Sequence, residues 1–208
     1  TVSRSLATNL TSGSITHNQS MQFNGTSAQE IVTGVNQVVP SGDFAFTAWV
    51  LPNDATDASI AGQGSTGNSS RWSVGIYQSK WWAQIGADQF NTFPVTASNW
   101  SHIVYTKSGT THKLYLDGVV INTGTTSLNA ENSEFKIAFN WYGDMNNWDG
   151  KIDEVAVWSG TLSGDSVYAL YNHGNPTDLL QPWGTISASQ DVQYEETGSL
   201  VGWWRMGD

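Results

Sequence analysis

The stretch from Trp148 to Gly174, WDGKIDEVAVWSGTLSGDSVYALYNHG, restricts the possible architectures more than any other part of this chain. Lys151–Trp158 reads as a strand interrupted by an acidic pair, Asp153 and Glu154. A short turn follows, and then one short helix. Ser163 is placed to cap its start, and Asp165 sits in the first turn, where the helix dipole favours an anion. Val167, Leu170 and Tyr171 share one face at i, i+3 and i+4. Gly174 is the expected stop, and Pro176 prevents continuation. A helix this short, beside a long strand, suits the end of a sheet sandwich.

The rest of the chain reads as strands. Met21–Phe23 leads into an Asn24-Gly25 turn, and Glu30–Val32 and Gln37–Val39 follow. Phe44, Phe46, Ala48 and Val50 alternate with Ala45, Thr47, Trp49 and Leu51. Both faces of this period-two pattern are apolar, as in a strand covered on both sides. Residues 53–70 read as a loop rich in Gly, Ser and Asp. Trp72–Tyr77 and Trp81–Ile85 form a hairpin across Gln78-Ser79-Lys80, and Ser101–Lys107 and Lys113–Leu116 form another. Asp117-Gly118 is a type I′ turn signal leading to Val119–Ile121, and Glu134–Phe139 completes the set. Many short strands separated by turn residues predict an all-β, two-sheet sandwich or barrel. Residues 1–174 form the expected domain. The tail 175–208 carries one further strand, 200–206, which completes this sandwich or a neighbouring one.

Composition narrows the partners. The chain has 208 residues, enough for a substantial core without covalent staples, and no cysteine, so disulfide frameworks and thiolate metal sites are excluded. Eight Lys+Arg stand against eighteen Asp+Glu, a formal net charge of −10. That balance argues against nucleic acid and anionic membranes and fits calcium or neutral sugars better. No apolar run is long enough to span a bilayer. Eleven tryptophans among abundant Ser, Thr, Asn and Gly are typical of β proteins that meet carbohydrate. The start at Thr1, without initiator Met or signal peptide, reads as a piece of something longer.

Four blocks, in this order, carry a family resemblance. Met21-Gln22-Phe23-Asn24-Gly25 is similar to a first core strand and turn. Phe46-Thr47-Ala48-Trp49-Val50-Leu51-Pro52 is similar to an "aromatic-Thr-x-Ala-Trp-Val-x-Pro" strand. Trp100-Ser101-His102-Ile103-Val104, with Leu114-Tyr115-Leu116-Asp117-Gly118, is similar to a "Trp-x-His-Val … Leu-Tyr-x-Asp-Gly" hairpin. The 150–171 stretch is similar to a closing "Gly-x-Ile-Asp-Glu-Val" strand with its helix. Together they resemble the laminin-G-like, concanavalin A-like and pentraxin-like domains. That resemblance implies an antiparallel jelly roll with one short helix. Members commonly open with a strand like "Leu-Val-x-Tyr/Trp-Trp", which the N-terminus here lacks and which Leu200-Val201-Gly202-Trp203-Trp204 resembles. The tail therefore begins a following repeat, or fills the vacant strand slot in its own chain or a neighbour's. Such openings in tandem arrays resemble structural proteins of bacteriophages.

Two sites follow as expectations. By resemblance, Asp153 ligates a structural calcium with backbone carbonyls near Asn24-Gly25; calcium accepts such mixed oxygen ligands. The alternative is an Asp satisfied by backbone N–H groups or a Lys, or a bulge that shifts the strand's phase. The second site is the loop 140–149, where Trp141, Tyr142, Asp144, Asn146, Asn147 and Trp148 concentrate. Aromatic faces stack on sugar rings while amides and carboxylates bind hydroxyls. Trp81, next to Trp82 on the central hairpin, is a further sugar-stacking candidate, because adjacent strand residues point to opposite faces.

Catalysis is not expected. The superfamily's glucanases carry Glu-x-Asp-x-x-Glu on one strand, which is missing here, and there is no HExxH or Gly-x-Ser-x-Gly. The leading expectation is a non-enzymatic module, extracellular or on a virion surface, that binds glycan and assists assembly. Its partners would be glycans or neighbouring structural subunits, with homo-oligomers formed through strand 200–206. A purely structural subunit is the alternative, and a secreted polysaccharide-degrading enzyme the third.

Overall fold

The computed structural model describes residues 20–26, 29–36, 42–64, 71–126, 133–139, 147–177, 179 and 199–206. The expected two-sheet antiparallel sandwich is what forms. The first sheet contains β1 (Met21–Asn24), β12 (Asp149–Ser159), β3 (Phe44–Pro52), β8 (Ser101–Ser108), β9 (Thr111–Leu116) and β10 (Val119–Thr125), in that spatial order; β13 (Ser199–Trp204) also pairs with β12. The second sheet runs β2 (Ile31–Asn36), β11 (Glu134–Ile137), β4 (Ala58–Gln63), β5 (Trp72–Tyr77), β6 (Lys80–Ile85) and β7 (Asp88–Pro94).

Alternation decides what lies between the sheets. Phe44, Phe46, Ala48 and Val50 of β3 face Trp72, Val74 and Ile76 of β5, with Ile103, Tyr105 and Leu114 beside them. Trp72 is the hub: its ring lies 5.1 Å from Phe44, 5.6 Å from Phe46 and 5.9 Å from Phe135. The other face of β3 is also covered, as its double apolar pattern requires. Ala45, with Val104, Tyr115, Ala156 and Trp158, packs beneath Leu162, Val167 and Leu170 of the helical segment. The single helix thus roofs the outer face of the first sheet.

That helix, α1 (Gly164–Tyr171), begins as expected: Ser163 Oγ accepts from the Ser166 N–H. Its end differs. The left-handed cap is Asn172 (φ 44°), not Gly174, and a 3-10 turn Asn172–Gly174 follows. Asparagine tolerates this conformation better than most side chains. The Asp117-Gly118 turn is confirmed as type I′, with both residues at positive φ.

Two strands contradict the sequence expectation. β4 crosses what reads as a loop, and β7 had no expected counterpart. Apart from Ile60, Ala58-Ser59-Ile60-Ala61-Gly62-Gln63 is small or polar, yet it is buried throughout. It earns its place from neighbours on both sides, β5 and β11, rather than from β propensity. The expected strand Gln37–Val39 lies outside the described residues.

Candidate functional site

The acidic pair sits on a bulge. Asp153 pairs with Trp49 and Ala156 with Thr47, so two β12 residues oppose Ala48, and Glu154 takes a positive φ of 51°. The bulge shifts the strand phase. Ile152, Val155 and Val157 keep to the inter-sheet core, while Asp153 comes level with Trp49, whose ring stacks on Tyr171 of α1 at 5.9 Å. Asp153 Oδ1 accepts the Glu154 N–H at 2.8 Å. Glu154 accepts from Trp203 Nε1 at 2.5 Å and Arg205 Nε at 3.0 Å. Burial, reinforced by Asp153, pushes the Glu154 carboxyl up to about 7, against the pull of Arg205 and Trp203. The space beside it, between Thr47, His102 and Leu170, is about 10 Å³. That volume holds at most about one water, so the pair has no room for a substrate.

The residues assigned to calcium do not converge. Asn24 pairs with Asp149, and Asp153 lies four residues further along β12, roughly 13 Å away at the strand rise. The carboxylate at the Asn24-Gly25 turn is Asp149: a Cβ on Gly25 would lie 3.4 Å from its Cβ, and its Oδ1 accepts from Asn53 Nδ2 at 2.6 Å. Among the described residues no group of three or more His, Asp or Glu is placed to hold a metal ion.

The aromatic sugar-site residues divide. Trp141, Tyr142, Asp144 and Asn146 lie outside the described residues. Asn147 is buried and donates to the Ala138 carbonyl at 3.3 Å. Trp148 is wholly buried and Trp81 is 2% exposed, both inside the inter-sheet core. A stacking platform needs an open ring face, and neither has one. Both are interior for one reason: the core between two wide sheets is deep enough to take whole indoles. Trp82 points to the other side of its sheet, where it meets Tyr77 at 6.4 Å between centroids, and it too is buried.

An unforeseen cleft lies on the outer face of the first sheet. The β8–β9 hairpin forms its floor. Register pairs Val104 with Tyr115, Thr106 with Lys113 and Ser108 with Thr111, so all six sit on one face. The wall is the link from β12 to α1, Thr161-Leu162-Ser163-Gly164. Leu162 anchors it in the apolar layer under the helix. Asp43 holds the hairpin tip, accepting from the Gly109 N–H at 2.6 Å. The volume of this open cleft is about 370 Å³. Its lining is mainly hydroxyl, with the Lys113 ammonium and the buried ring of Tyr115, whose hydroxyl hydrogen-bonds Thr106. Such a surface can hydrogen-bond a polyol on several sides. The sequence signal for it existed, alternating polar residues on each arm of a predicted hairpin, Thr106 and Ser108 on one and Thr111, Lys113 and Tyr115 on the other. Its meaning depended on the 161–164 wall, which only the fold supplies.

A second polar cluster joins the two sheets on the inner side of the same hairpin. Tyr105 donates to His112 Nδ1 at 2.8 Å, and His112 Nε2 donates to Asp88 Oδ2 at 2.6 Å. Burial lowers the His112 pKa, with a further contribution from Lys107, and outweighs the opposite effect of Asp88. Neutral imidazole is the form that fits both hydrogen bonds.

With fold and cleft in place, the family can be stated. The family described as Laminin_G_3, of the concanavalin A-like lectin/glucanases superfamily, matches residues 24–168. The chain belongs to that family. It is 22% identical over 166 residues to the adhesion G-protein coupled receptor V1 of Danio rerio, across 72% of this chain and 3% of the receptor. The chain therefore spans a small fraction of that relative's length. Among solved structures it resembles domain 4 of AbnA, a GH43 extracellular arabinanase from Geobacillus stearothermophilus, in complex with arabinotriose. The TM-score is 0.61 with 20% identity, covering 73% of this chain and 76% of that one. It also resembles the heptameric SAP-like pentraxin of Limulus polyphemus, with a TM-score of 0.58 and 15% identity, covering 86% and 89%. At these identities the likeness shows the fold alone.

Proposed function

We propose that this domain is a non-catalytic glycan-binding and adhesion module, displayed outside the cell or on a virion surface. The observation that carries this reading is the hydroxyl-lined cleft between the β8–β9 hairpin and the 161–164 wall. Its volume of about 370 Å³ lies at the small end of ligand sites and suits roughly one or two sugar rings. Ser108, Thr111 and Thr161, which keep part of their surface open, offer donors and acceptors to ring hydroxyls, and Lys113 offers an ammonium. The relatives, an adhesion receptor and an arabinanase domain bound to arabinotriose, support an extracellular, sugar-facing role. The buried, saturated state of Glu154 supports the absence of catalysis. A structural calcium is part of the proposal, held by groups other than Asp153, and the calcium and chelator arms of the test read it.

The test is a glycan array run in calcium and in chelator. Binding is expected in at least one condition, and Thr111→Val with Lys113→Ala should weaken it at least tenfold at an unchanged unfolding midpoint. Silence in both conditions would sink the reading. Loss only in Trp141→Ala or Tyr142→Ala chains would move the site to the 140–149 loop. The alternative, a structural subunit, draws support from the placement of β13.

A further inference from the structure

The polar floor of the cleft does not stop at the β8–β9 hairpin. β10 pairs with β9 and is the outermost strand of its sheet. Register sets Thr123 beside Lys113 and Thr125 beside Thr111. Between them Gly124 pairs with His112, and a Cβ on Gly124 would run into the His112 ring and the Asp88 carboxylate. Gly124 therefore faces inward. Alternation turns Thr123 and Thr125 outward, onto the face that carries the cleft. Two rows thus cross the three strands, Thr106–Lys113–Thr123 and Ser108–Thr111–Thr125.

The two ends of these rows differ. Over β8 stands the 161–164 wall, which arrives from β12 on the far side of β3, and Thr106 is buried. At β10 the rows end in the open, with Thr123 and Thr125 both exposed. The helix α1 approaches β10 at its opposite end, where Gly118 lies against Tyr168 and Tyr171. Neighbouring strands stand roughly 4.8 Å apart, about the length of one sugar ring in a chain. The step from β9 to β10 therefore offers hydroxyls to one ring more than the cleft itself holds.

Chemistry limits the occupant. Hydroxyls donate and accept, and Lys113 donates, so the floor suits a ligand that does both along its length. No Asp or Glu belongs to the two rows or to the wall. Asp43, however, accepts from Ser108 Oγ at 3.3 Å at the hairpin end, and the whole chain carries a formal net charge of −10. A polyanion would meet that field as repulsion, whereas an uncharged chain of hydroxyls would not.

We propose that the cleft and the outer face of β10 form one track for a linear, uncharged oligosaccharide longer than a disaccharide, with Thr123 and Thr125 as binding residues beyond the cleft. The inference rests on the glycan reading of the cleft and extends it.

The test is a length series. Calorimetry of the full chain with xylo-, cello-, malto- and arabino-oligosaccharides, from disaccharide to hexasaccharide, reads affinity against length. In the best series, affinity should rise at least tenfold between disaccharide and tetrasaccharide. Thr123→Val with Thr125→Val keeps branched strand residues and removes both hydroxyls. That variant should return tetrasaccharide affinity to the disaccharide level and leave the disaccharide unchanged, while Thr123→Ser with Thr125→Ser retains the gain. A flat length series, or a gain that survives the double valine change, overturns the track and leaves the glycan reading intact. Binding of none of these series also overturns the track, and the glycan array alone then decides the wider reading. Tighter binding of oligogalacturonate than of every neutral series overturns it as well. If circular dichroism shows that the valine variant does not fold, 15N shift mapping of the parent chain decides. Shifts at Thr123 and Thr125 with tetrasaccharide but not disaccharide support the track, and shifts that stop at β9 overturn it.

Discussion

Glu154 and His112 are buried titratable groups whose pH effects oppose one another. The folded Glu154 carboxyl titrates near 7 against an ordinary value of 4.5. Between those values the fold holds a proton that the unfolded chain releases, so stability is lost as pH rises through that window. His112 is the reverse case. Its folded pKa lies below 6.5, so the fold resists the proton that the unfolded chain takes up, and stability is lost as pH falls below that value. Glu154→Gln should leave the His112 slope exposed: urea midpoints then decline as the buffer is taken from neutral to mildly acidic. His112→Gln should show the opposite slope. Identical flat profiles in both variants would contradict these assignments. Gly124 belongs to the same cluster. A Cβ there would sit 2.3 Å from His112 Nε2 and 2.7 Å from Asp88 Oδ2, so Gly124→Ala should cost about 1–3 kcal/mol in urea unfolding.

At the scale of elements, local chemistry was legible wherever it was self-contained. The Ser163 cap, the Asp117-Gly118 turn and the buried strand Phe44–Pro52 all form as their residues dictate. Ser163→Ala should remove the bond to the Ser166 N–H and cost about 1 kcal/mol, read as a lower thermal midpoint. β4 was not legible, because five of its six residues are Ala, Ser, Gly or Gln and Ile60 alone favours a strand. Its six residues are buried because β5 and β11 flank them. Trp81 and Trp148 were misplaced for a related reason. An indole is a plausible sugar platform or core filler in equal measure until the depth of the sandwich is known. The bulge at Glu154 lay between these cases: an acidic pair in an apolar strand announces a phase shift, but not the Trp203 and Arg205 partners that hold it.

Across the whole molecule, β13 couples the two apolar layers. Trp204 and Met206 pack toward the inter-sheet core, and Trp203 and Leu200 toward the layer under α1. The helical roof and the sandwich should therefore unfold together. Tryptophan fluorescence and far-UV circular dichroism are expected to give coincident urea transitions; two separated transitions would show that the layers are independent. Strand periods, turn residues and the ordered family motifs determined by themselves that this is a concanavalin A-like sandwich with one short helix, since each reports on neighbours a few residues away. Only the tertiary structure decided where Asp153 points, which tryptophans are core, that a hydroxyl cleft opens beside α1, and that the last strand runs into the first along β12. Those depend on pairings between residues as distant as Glu154 and Arg205 or Asp88 and His112, and distant pairing leaves no periodic trace in a sequence.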